Sequence, residues 1–306
     1  MGQKEKNSNR IPIPISLVIL CLVVLCFSIG IEIKEHRKQK MAPIAPSESL
    51  AEVKAEEPKE KRWIPNTATV YKKQEKDIKI PVLIYHAFST EPQQDPYQLF
   101  VTPGRFEEQI TALINDGYTF ITLDELVAYQ KEEIGLPEKV VLITIDDGWK
   151  GNYIDVFPLL KKYDIPATIF IVNDLLGKEG YFTWEEAKEM FDSGLVKIHS
   201  HGKRHIDYSQ VTKEVLQQDL EASQQQIEEK LGKQVPRYFA YPSGKHTVNS
   251  VAWLKEIGFD VQVMTRYGYV NRSKDLDLTN IGRIRCEEKT TGEHILNVIR
   301  NAKLVP

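Results

Sequence analysis

The hydrophobic positions from about residue 79 onwards fall into short apolar runs separated by longer stretches of mixed polarity. Continuous apolar runs are typical of parallel strands that are buried on both faces. We predict strands at Pro81–Tyr85, Thr119–Thr122, Val140–Ile145, Ala167–Val172, Val196–His199, Tyr238–Tyr241, Asp260–Met264 and Ile281–Arg285.

The stretches between these runs carry apolar residues at helical spacing. Two stripes illustrate the pattern: Phe106, Ile110, Leu113 and Ile114 before Gly117, and Val215, Leu216, Leu220 and Ile227 within a helix predicted over 212–231. Thr183 and Glu186 have capping-box spacing at the start of another helix. Alternation of strand and helix predicts a (β/α) barrel or a doubly wound sheet, and both bind ligands at the carboxyl ends of strands.

The first 78 residues have a different character. The run from Ile11 to Ile33 is almost wholly apolar and long enough to cross a hydrocarbon core of ~30 Å, without a small-x-small cleavage site. We therefore predict a cytoplasmic N-terminus over 1–10 and a transmembrane anchor helix over 11–33. Residues 34–78 are charged and rich in Ala, Pro, Glu and Lys, which indicates a solvated linker. The globular domain is predicted over 79–306.

Composition excludes several classes of protein. The chain of 306 residues has a net charge of -3 and a pI near 6.2, so it offers no overall basic field for nucleic acid. It also carries no nucleotide-binding motif. Cys21 and Cys26 lie in the apolar run and Cys286 stands alone, which excludes a disulfide framework and a cysteine-rich zinc site.

Chemically capable residues follow the predicted strands. Asp146 and Asp147 end the apolar run Val140–Ile145, where one acid could hold a metal and its neighbour act as a base; an Asp-Gly turn is the simpler interpretation. His201 and His205 follow Val196–His199 and could face one ion if the backbone between them turns helically; a pair of surface histidines is the alternative.

Two further strand ends carry weaker signals. His86 follows Pro81–Tyr85, where a structural histidine is the simpler interpretation, and Ser243 lies in a Pro/Gly turn that could aim a backbone N–H at a developing anion. His199 lies on its strand, and we assign it a structural or supporting role. The coincidence of four such sites at strand ends favours one active site.

The sequence here resembles the NodB-homology polysaccharide deacetylases, carbohydrate esterase family four. Thr144–Gly148 (TIDDG) is similar to the family's T-F-D-D-G motif, and residues 201–205 (HGKRH) to its H-[S/T]-x-x-H motif. Tyr85-His86 and residues 239–244 (FAYPSG) resemble the branch that includes biofilm poly-N-acetylglucosamine deacetylases and Gram-positive cell-surface enzymes. The resemblance covers about residues 79–290 and implies a distorted (β/α) barrel with fewer than eight strands.

The resemblance implies a role for each residue. Asp147, His201 and His205 would bind a divalent metal, most suitably Zn²⁺ with a water molecule in the open position. Asp146 would be the general base, and the metal and the Ser243 N–H would stabilise the oxyanion. No late L-x-H motif is present, so His86 is the implied general acid. Ala240 stands where many members have an arginine, and we hypothesise that Arg283 supplies that guanidinium.

The implied function is metal-dependent N-deacetylation of a GlcNAc-containing polysaccharide, either peptidoglycan or poly-N-acetylglucosamine. An O-acetyl polysaccharide esterase and a non-catalytic polymer-binding protein remain alternatives. Because the acetylated polymers of the family lie outside the membrane, we expect a single-pass protein of the cell membrane, in a Gram-positive bacterium, with an extracytoplasmic domain.

Overall fold

A computed structural model of the protein describes residues 77–90, 97–265, 269–274 and 276–304. The predicted anchor over 11–33 and all but the last two residues of the predicted linker lie outside these ranges. Within the ranges, none of the helices combines the length and the hydropathy that a membrane span requires.

The centre of the domain is an eight-stranded parallel sheet. The members of this sheet are β2 (Val82–Tyr85), β5 (Thr119–Phe120), β6 (Val140–Asp147), β7 (Ala167–Ile171), β8 (Val196–Ser200), β9 (Tyr238–Ala240), β10 (Val261–Val263) and β12 (Ile284–Arg285). Seven of these strands run in the order β10-β9-β8-β7-β6-β2-β12, and β5 pairs with the beginning of β6.

The two edges of this sheet approach each other. An isolated parallel bridge joins Val263, in β10, to Ile281, just before β12. The sheet therefore curves into an incomplete barrel, in agreement with the predicted (β/α) architecture. The bridge also explains why the predicted strand Ile281–Arg285 is shortened: Ile281 pairs with one edge of the sheet and Ile284 with the other.

The described residues also form two small sheets. Their strands are β1 (Lys79–Ile80), β3 (Ala87–Phe88), β4 (Phe100–Val101), β11 (Tyr269–Arg272) and β13 (Lys303–Leu304). The pair β3–β4 is parallel, whereas β11 pairs antiparallel with β1 and parallel with β13.

Seven α-helices connect the strands among the described residues. They are α1 (Pro103–Asn115), α2 (Leu123–Gln130), α3 (Phe157–Tyr163), α4 (Trp184–Asp192), α5 (Lys213–Leu231), α6 (Val248–Glu256) and α7 (Gly292–Asn301). The predicted capping box of Thr183 and Glu186 is confirmed at the start of α4. Thr122 caps α2 in the same way, which is why the predicted strand Thr119–Thr122 ends two residues early.

The predicted apolar stripes are correct except at their margins. Ile114 is 39% exposed and Val215 is 36% exposed, while the other members of both stripes are buried. Each of the two exposed residues is adjacent in sequence to a buried member of its stripe, so the helix turns its side chain away from the sheet.

Strand β6 shows how the sheet places the site. Val141, Ile143 and Ile145 belong to one core cluster, whereas Val140 and Leu142 belong to a second cluster formed by other strands of the sheet together with α2. Because side chains alternate along a strand, Thr144 and Asp146 lie on the same face as Leu142. Asp146 is therefore carried into the interior of the barrel at the carboxyl end of its strand.

Candidate active site

The Asp146 carboxylate is buried against an arginine. Asp146 is 2% exposed, and its Oδ1 and Oδ2 accept hydrogen bonds of 2.7 Å and 2.7 Å from Nη1 and Nη2 of Arg283. Burial alone would raise the pKa of Asp146, but the charge of Arg283 and the hydrogen bonds from its guanidinium lower it to about 2. Asp146 is therefore ionised at neutral pH.

The Arg283 side chain is buried and makes hydrogen bonds to residues other than Asp146. The residue is 1% exposed, its Nε donates to the Met264 carbonyl at 3.2 Å, and its Nη1 also donates to Thr144 Oγ1 at 3.2 Å. Its guanidinium lies 5.9 Å from the ring centre of Phe170. The structure thus places this guanidinium on Asp146, the position that the sequence hypothesis required; its role in turnover stays a prediction.

The Asp147 carboxylate points away from Arg283, towards Trp149 and the two histidines. Asp147 belongs to β6 rather than to a turn after it, and its φ of 77° rotates the last peptide of the strand. Its Oδ2 accepts a hydrogen bond of 2.9 Å from Nε1 of Trp149. Its Oδ1 lies 3.5 Å from Nε2 of His201 and 3.5 Å from Nε2 of His205.

His201 is oriented by the neighbouring strand. Its Nδ1 lies 2.7 Å from the Ala240 carbonyl oxygen, which can only accept a hydrogen bond. Nδ1 therefore carries the proton, and the lone pair of Nε2 faces Asp147. A backbone carbonyl on the far nitrogen is the usual way in which a metal-binding histidine is fixed.

Asp147, His201 and His205 can hold one metal ion. One ligand atom from each residue lies within 4.8 Å of the others. Two neutral imidazoles and one carboxylate form the donor set of catalytic sites for a divalent ion such as zinc, which keep one position open. The donor chemistry, the spacing and the fixed tautomer of His201 all fit such an ion.

The segment between the two histidines is a loop rather than the helical turn under which their spacing would bring them to one ion. Gly202 has a φ of 83° and His205 a φ of 57°, both in the left-handed region, which interrupts any α-helical path. The two rings nevertheless meet, with their centres 5.0 Å apart.

His86 and Ser243 complete the predicted set. His86 follows β2, and its carbonyl accepts a hydrogen bond of 2.8 Å from Nδ2 of Asn152. Burial lowers the pKa of the His86 ring, and the charges of Asp146 and Asp147 only partly oppose this. Ser243 lies in a 3₁₀ turn directly after β9, with a φ of 55°. The predicted residues thus lie in or beside strands of one sheet, and their catalytic roles remain predictions.

His199 and His294 lie outside the carboxylate–histidine cluster. His199 is buried, with its ring 4.3 Å from that of Tyr238, and burial lowers the pKa of His199 to about 3. His294 lies in the first turn of α7. A structural role for His199 agrees with its neutral, packed state.

Sequence reasoning missed Trp149. Its indole ring stacks on the Tyr181 ring, with the ring centres 4.7 Å apart, and its N–H donates a hydrogen bond to Asp147. The available signal was its position two residues after a predicted ligand, which is too general to single out one residue.

Comparisons with known proteins find relatives among the polysaccharide deacetylases. A sequence model described as polysaccharide deacetylase matches residues 133–262. The crystal structure of BC0361, a polysaccharide deacetylase from Bacillus cereus, is 30% identical, covers 73% of this chain and 69% of that one, and superimposes with a TM-score of 0.65.

Two sequence relatives extend the comparison. The chain is 28% identical to YxkH of Bacillus subtilis (strain 168) over 284 residues, which is 93% of this chain and 96% of that protein. It is 29% identical over 182 residues to the poly-β-1,6-N-acetyl-D-glucosamine N-deacetylase of Staphylococcus aureus (strain MRSA252), a match that spans 55% of this chain and 60% of that enzyme.

Proposed function

The chain belongs to the polysaccharide deacetylase family, and from that premise we propose that it removes N-acetyl groups from a GlcNAc-containing extracellular polysaccharide. The observation that carries the proposal is the ionised Asp146–Arg283 pair beside three converging metal ligands. The staphylococcal relative, which is named for poly-β-1,6-N-acetyl-D-glucosamine, supports that polymer as the first substrate to test. Peptidoglycan is the second.

The residues divide the reaction between them. A divalent ion held by Asp147, His201 and His205 would polarise the acetamide carbonyl and acidify the attacking water, so that even a carboxylate of low pKa can act as base. Asp146, whose Oδ2 lies 3.9 Å from Nε2 of His201, would take the proton. The donor set favours Zn²⁺ over harder ions such as Mg²⁺, which prefer oxygen ligands.

The other two predicted residues would serve the tetrahedral intermediate and its collapse. The Ser243 N–H, in the turn after β9, would donate to the oxyanion. His86 would deliver the proton that the departing amine needs. This proton is released more readily because burial lowers the pKa of the ring.

We also propose that the apolar run 11–33 anchors the protein in the cell membrane of a Gram-positive bacterium, with the domain outside. The sequence of that run and the extracellular location of the acetylated polymers support this arrangement. Fusing a reporter to the C-terminus that is active only outside the cytoplasm would test it.

The decisive test is acetate release by the full chain from poly-β-1,6-GlcNAc and from peptidoglycan, after chelation and after Zn²⁺ is restored. Asp146→Asn is the site variant, and Asp192→Asn, an exposed aspartate at the end of α4, is its control. Zinc-dependent release that only Asp146→Asn abolishes would support the proposal. Release from O-acetylated polymers alone would show an esterase instead, and metal binding without release would show a binding protein.

A further inference from the structure

The loop that carries both histidine ligands is held from behind by a buried carboxylate on α5. Asp219 is 3% exposed, and it accepts hydrogen bonds from the Lys203 N–H at 2.8 Å and from the Tyr208 hydroxyl at 2.6 Å on one oxygen. Its other oxygen accepts from Nε of Arg204 at 2.5 Å. Lys203 and Arg204 are two of the three residues between His201 and His205, so Asp219 binds the middle of the ligand loop.

This loop has backbone conformations that need external support. Gly202 and His205 both have positive φ, and a non-glycine residue in that region is held only where its surroundings over-determine it. Lys203 supplies a second support, because its carbonyl accepts a hydrogen bond of 3.0 Å from the Asp174 N–H. The loop is thus held on both sides at its centre.

Tyr208 fills the space that a side chain at position 202 would need. A Cβ added to Gly202 would come within 2.4 Å of the Tyr208 hydroxyl and 3.3 Å of Asp219 Oδ2. Burial and the charge of Asp219 raise the pKa of Tyr208, so this hydroxyl stays protonated and donates. The tyrosine therefore packs under the loop and is itself fixed by the carboxylate.

The start of the loop is held by the same face of α5. Ser223, four residues after Asp219 and so on the same side of the helix, lies 2.7 Å from Ser200 through their hydroxyl oxygens. Ser200 Oγ accepts in turn from the Gly202 N–H at 3.0 Å. Ser223 also donates to Asn173 Oδ1 at 2.6 Å. Two polar residues on one helix face thus hold the beginning and the middle of the loop.

We infer that Asp219 is a positioning residue for the metal site: it fixes the loop so that Nε2 of His205 stays opposite Nε2 of His201. A buried carboxylate in a helix is costly unless donors surround it, and here the donors come from the ligand loop and from Tyr208, which packs beneath it. The inference rests on the proposed metal site, but it concerns a residue that does not contact the ion.

The test is to measure Co²⁺ binding by the full chain, with the affinity taken from a titration and the geometry of the site monitored by the visible absorption of the bound ion. Asp219→Ala removes all three acceptor contacts, and we expect it to weaken Co²⁺ binding by roughly 10–100-fold and to alter the absorption at saturation, as loss of an outer partner of a ligand does. Asp219→Asn keeps one oxygen that can accept from the Lys203 N–H and the Tyr208 hydroxyl, and it loses only the contact with Arg204. Because the Arg204 side chain is half-exposed, water can replace that contact, so Asp219→Asn should recover most of the Co²⁺ affinity.

Two control variants separate a loss of loop positioning from a general loss of folding stability. Glu221→Gln changes an exposed position of the same helix, and Ile299→Val loosens the buried core under α7; both should bind Co²⁺ like the unchanged protein. If Asp219→Ala does not fold, Tyr208→Phe removes one hydroxyl only and should weaken Co²⁺ binding by a smaller factor.

The outcomes are distinct. Unchanged Co²⁺ affinity and absorption in Asp219→Ala, or in Tyr208→Phe if the former does not fold, would overturn the inference alone. Failure of the unchanged protein to bind Co²⁺ would overturn the proposed metal site and this inference with it. Weakened binding in Asp219→Ala that Asp219→Asn restores would establish the positioning role.

Discussion

Replacing Arg283 by methionine tests the link between the buried ion pair and the general base. Methionine keeps much of the volume of the side chain but removes the two hydrogen bonds to Asp146 and the positive charge. Asp146 would then be an ionised carboxylate in a site that is 2% exposed, without its main partner. We expect a large loss of stability at neutral pH together with a loss of turnover.

The magnitude follows from the pKa of Asp146. It falls from an ordinary 3.8 to about 2, and at ~1.4 kcal/mol per unit this corresponds to on the order of 2 kcal/mol in favour of the folded, ionised state. In the unchanged protein that stabilisation is present above pH 3.8 and is lost as the pH falls towards 2. Breaking a buried pair by removing one partner typically costs about 3–5 kcal/mol.

In Arg283→Met the contribution of Asp146 to folding stability should depend on pH with the opposite sign. Without Arg283, burial dominates and raises the pKa of Asp146 above 3.8, so the ionised carboxylate destabilises the folded state at neutral pH. That penalty should shrink as the pH falls towards 3.8, because protonation relieves it. The variant should therefore lose less stability relative to the unchanged protein at pH 5 than at pH 7.

The assay is urea unfolding at pH 7 and pH 5, with a chelator present, of the unchanged protein, Arg283→Met, Asp146→Asn and the double variant. The double variant should be more stable than Arg283→Met, since it leaves no unpaired charge. The reasoning would be refuted if the losses of unfolding free energy in the two single variants add up to the loss in the double variant within about 0.5 kcal/mol, and if each loss is equal at pH 7 and pH 5.

Three further changes probe other parts of the site. Trp149→Phe keeps an aromatic ring but removes the N–H that donates to Asp147, and should weaken Co²⁺ binding by roughly tenfold in a titration; unchanged affinity would contradict this. Gly202→Ala forces a Cβ against the Tyr208 hydroxyl at positive φ and should cost about 1–3 kcal/mol in urea unfolding, whereas an unchanged midpoint would show that the loop adapts. His86→Gln should lower kcat/KM by about 10²–10⁴-fold and remove the alkaline limb of the pH profile, which burial of the His86 ring shifts towards lower pH by lowering its pKa; a limb that survives the substitution would exclude His86 as the acid.

Much of the site could be predicted because it depends on strand order and side-chain alternation. Asp146 follows Leu142 and Thr144 at intervals of two, so alternation along the strand predicts that the two neighbouring acids point to opposite faces. The interaction of Arg283 with a residue 137 positions earlier could be proposed only because a barrel brings a late strand beside an early one. The parallel pairing of β12 with β2 is the physical reason that this guanidinium reaches Asp146 on the neighbouring strand β6.

The supports of the site could not be predicted in the same way. Asp219 lies in a helix whose sequence is mostly polar, so its burial depends on what packs against it. The loop of His201 has the spacing of a helical pair, yet its path is set by two residues with positive φ and by hydrogen bonds to another element. Local sequence carries no signal for contacts of this kind.

The position of β12 has a consequence for how the site is completed. Among the strands of the central sheet β2 comes first in the chain and β12 last, yet they are neighbours, and Arg283 lies one residue before β12. The segments that carry Asp147, His201 and His205 all precede β12 in the chain, whereas the guanidinium that pairs with Asp146 follows them. The general base is therefore paired only when the last strand of the sheet lies beside the first.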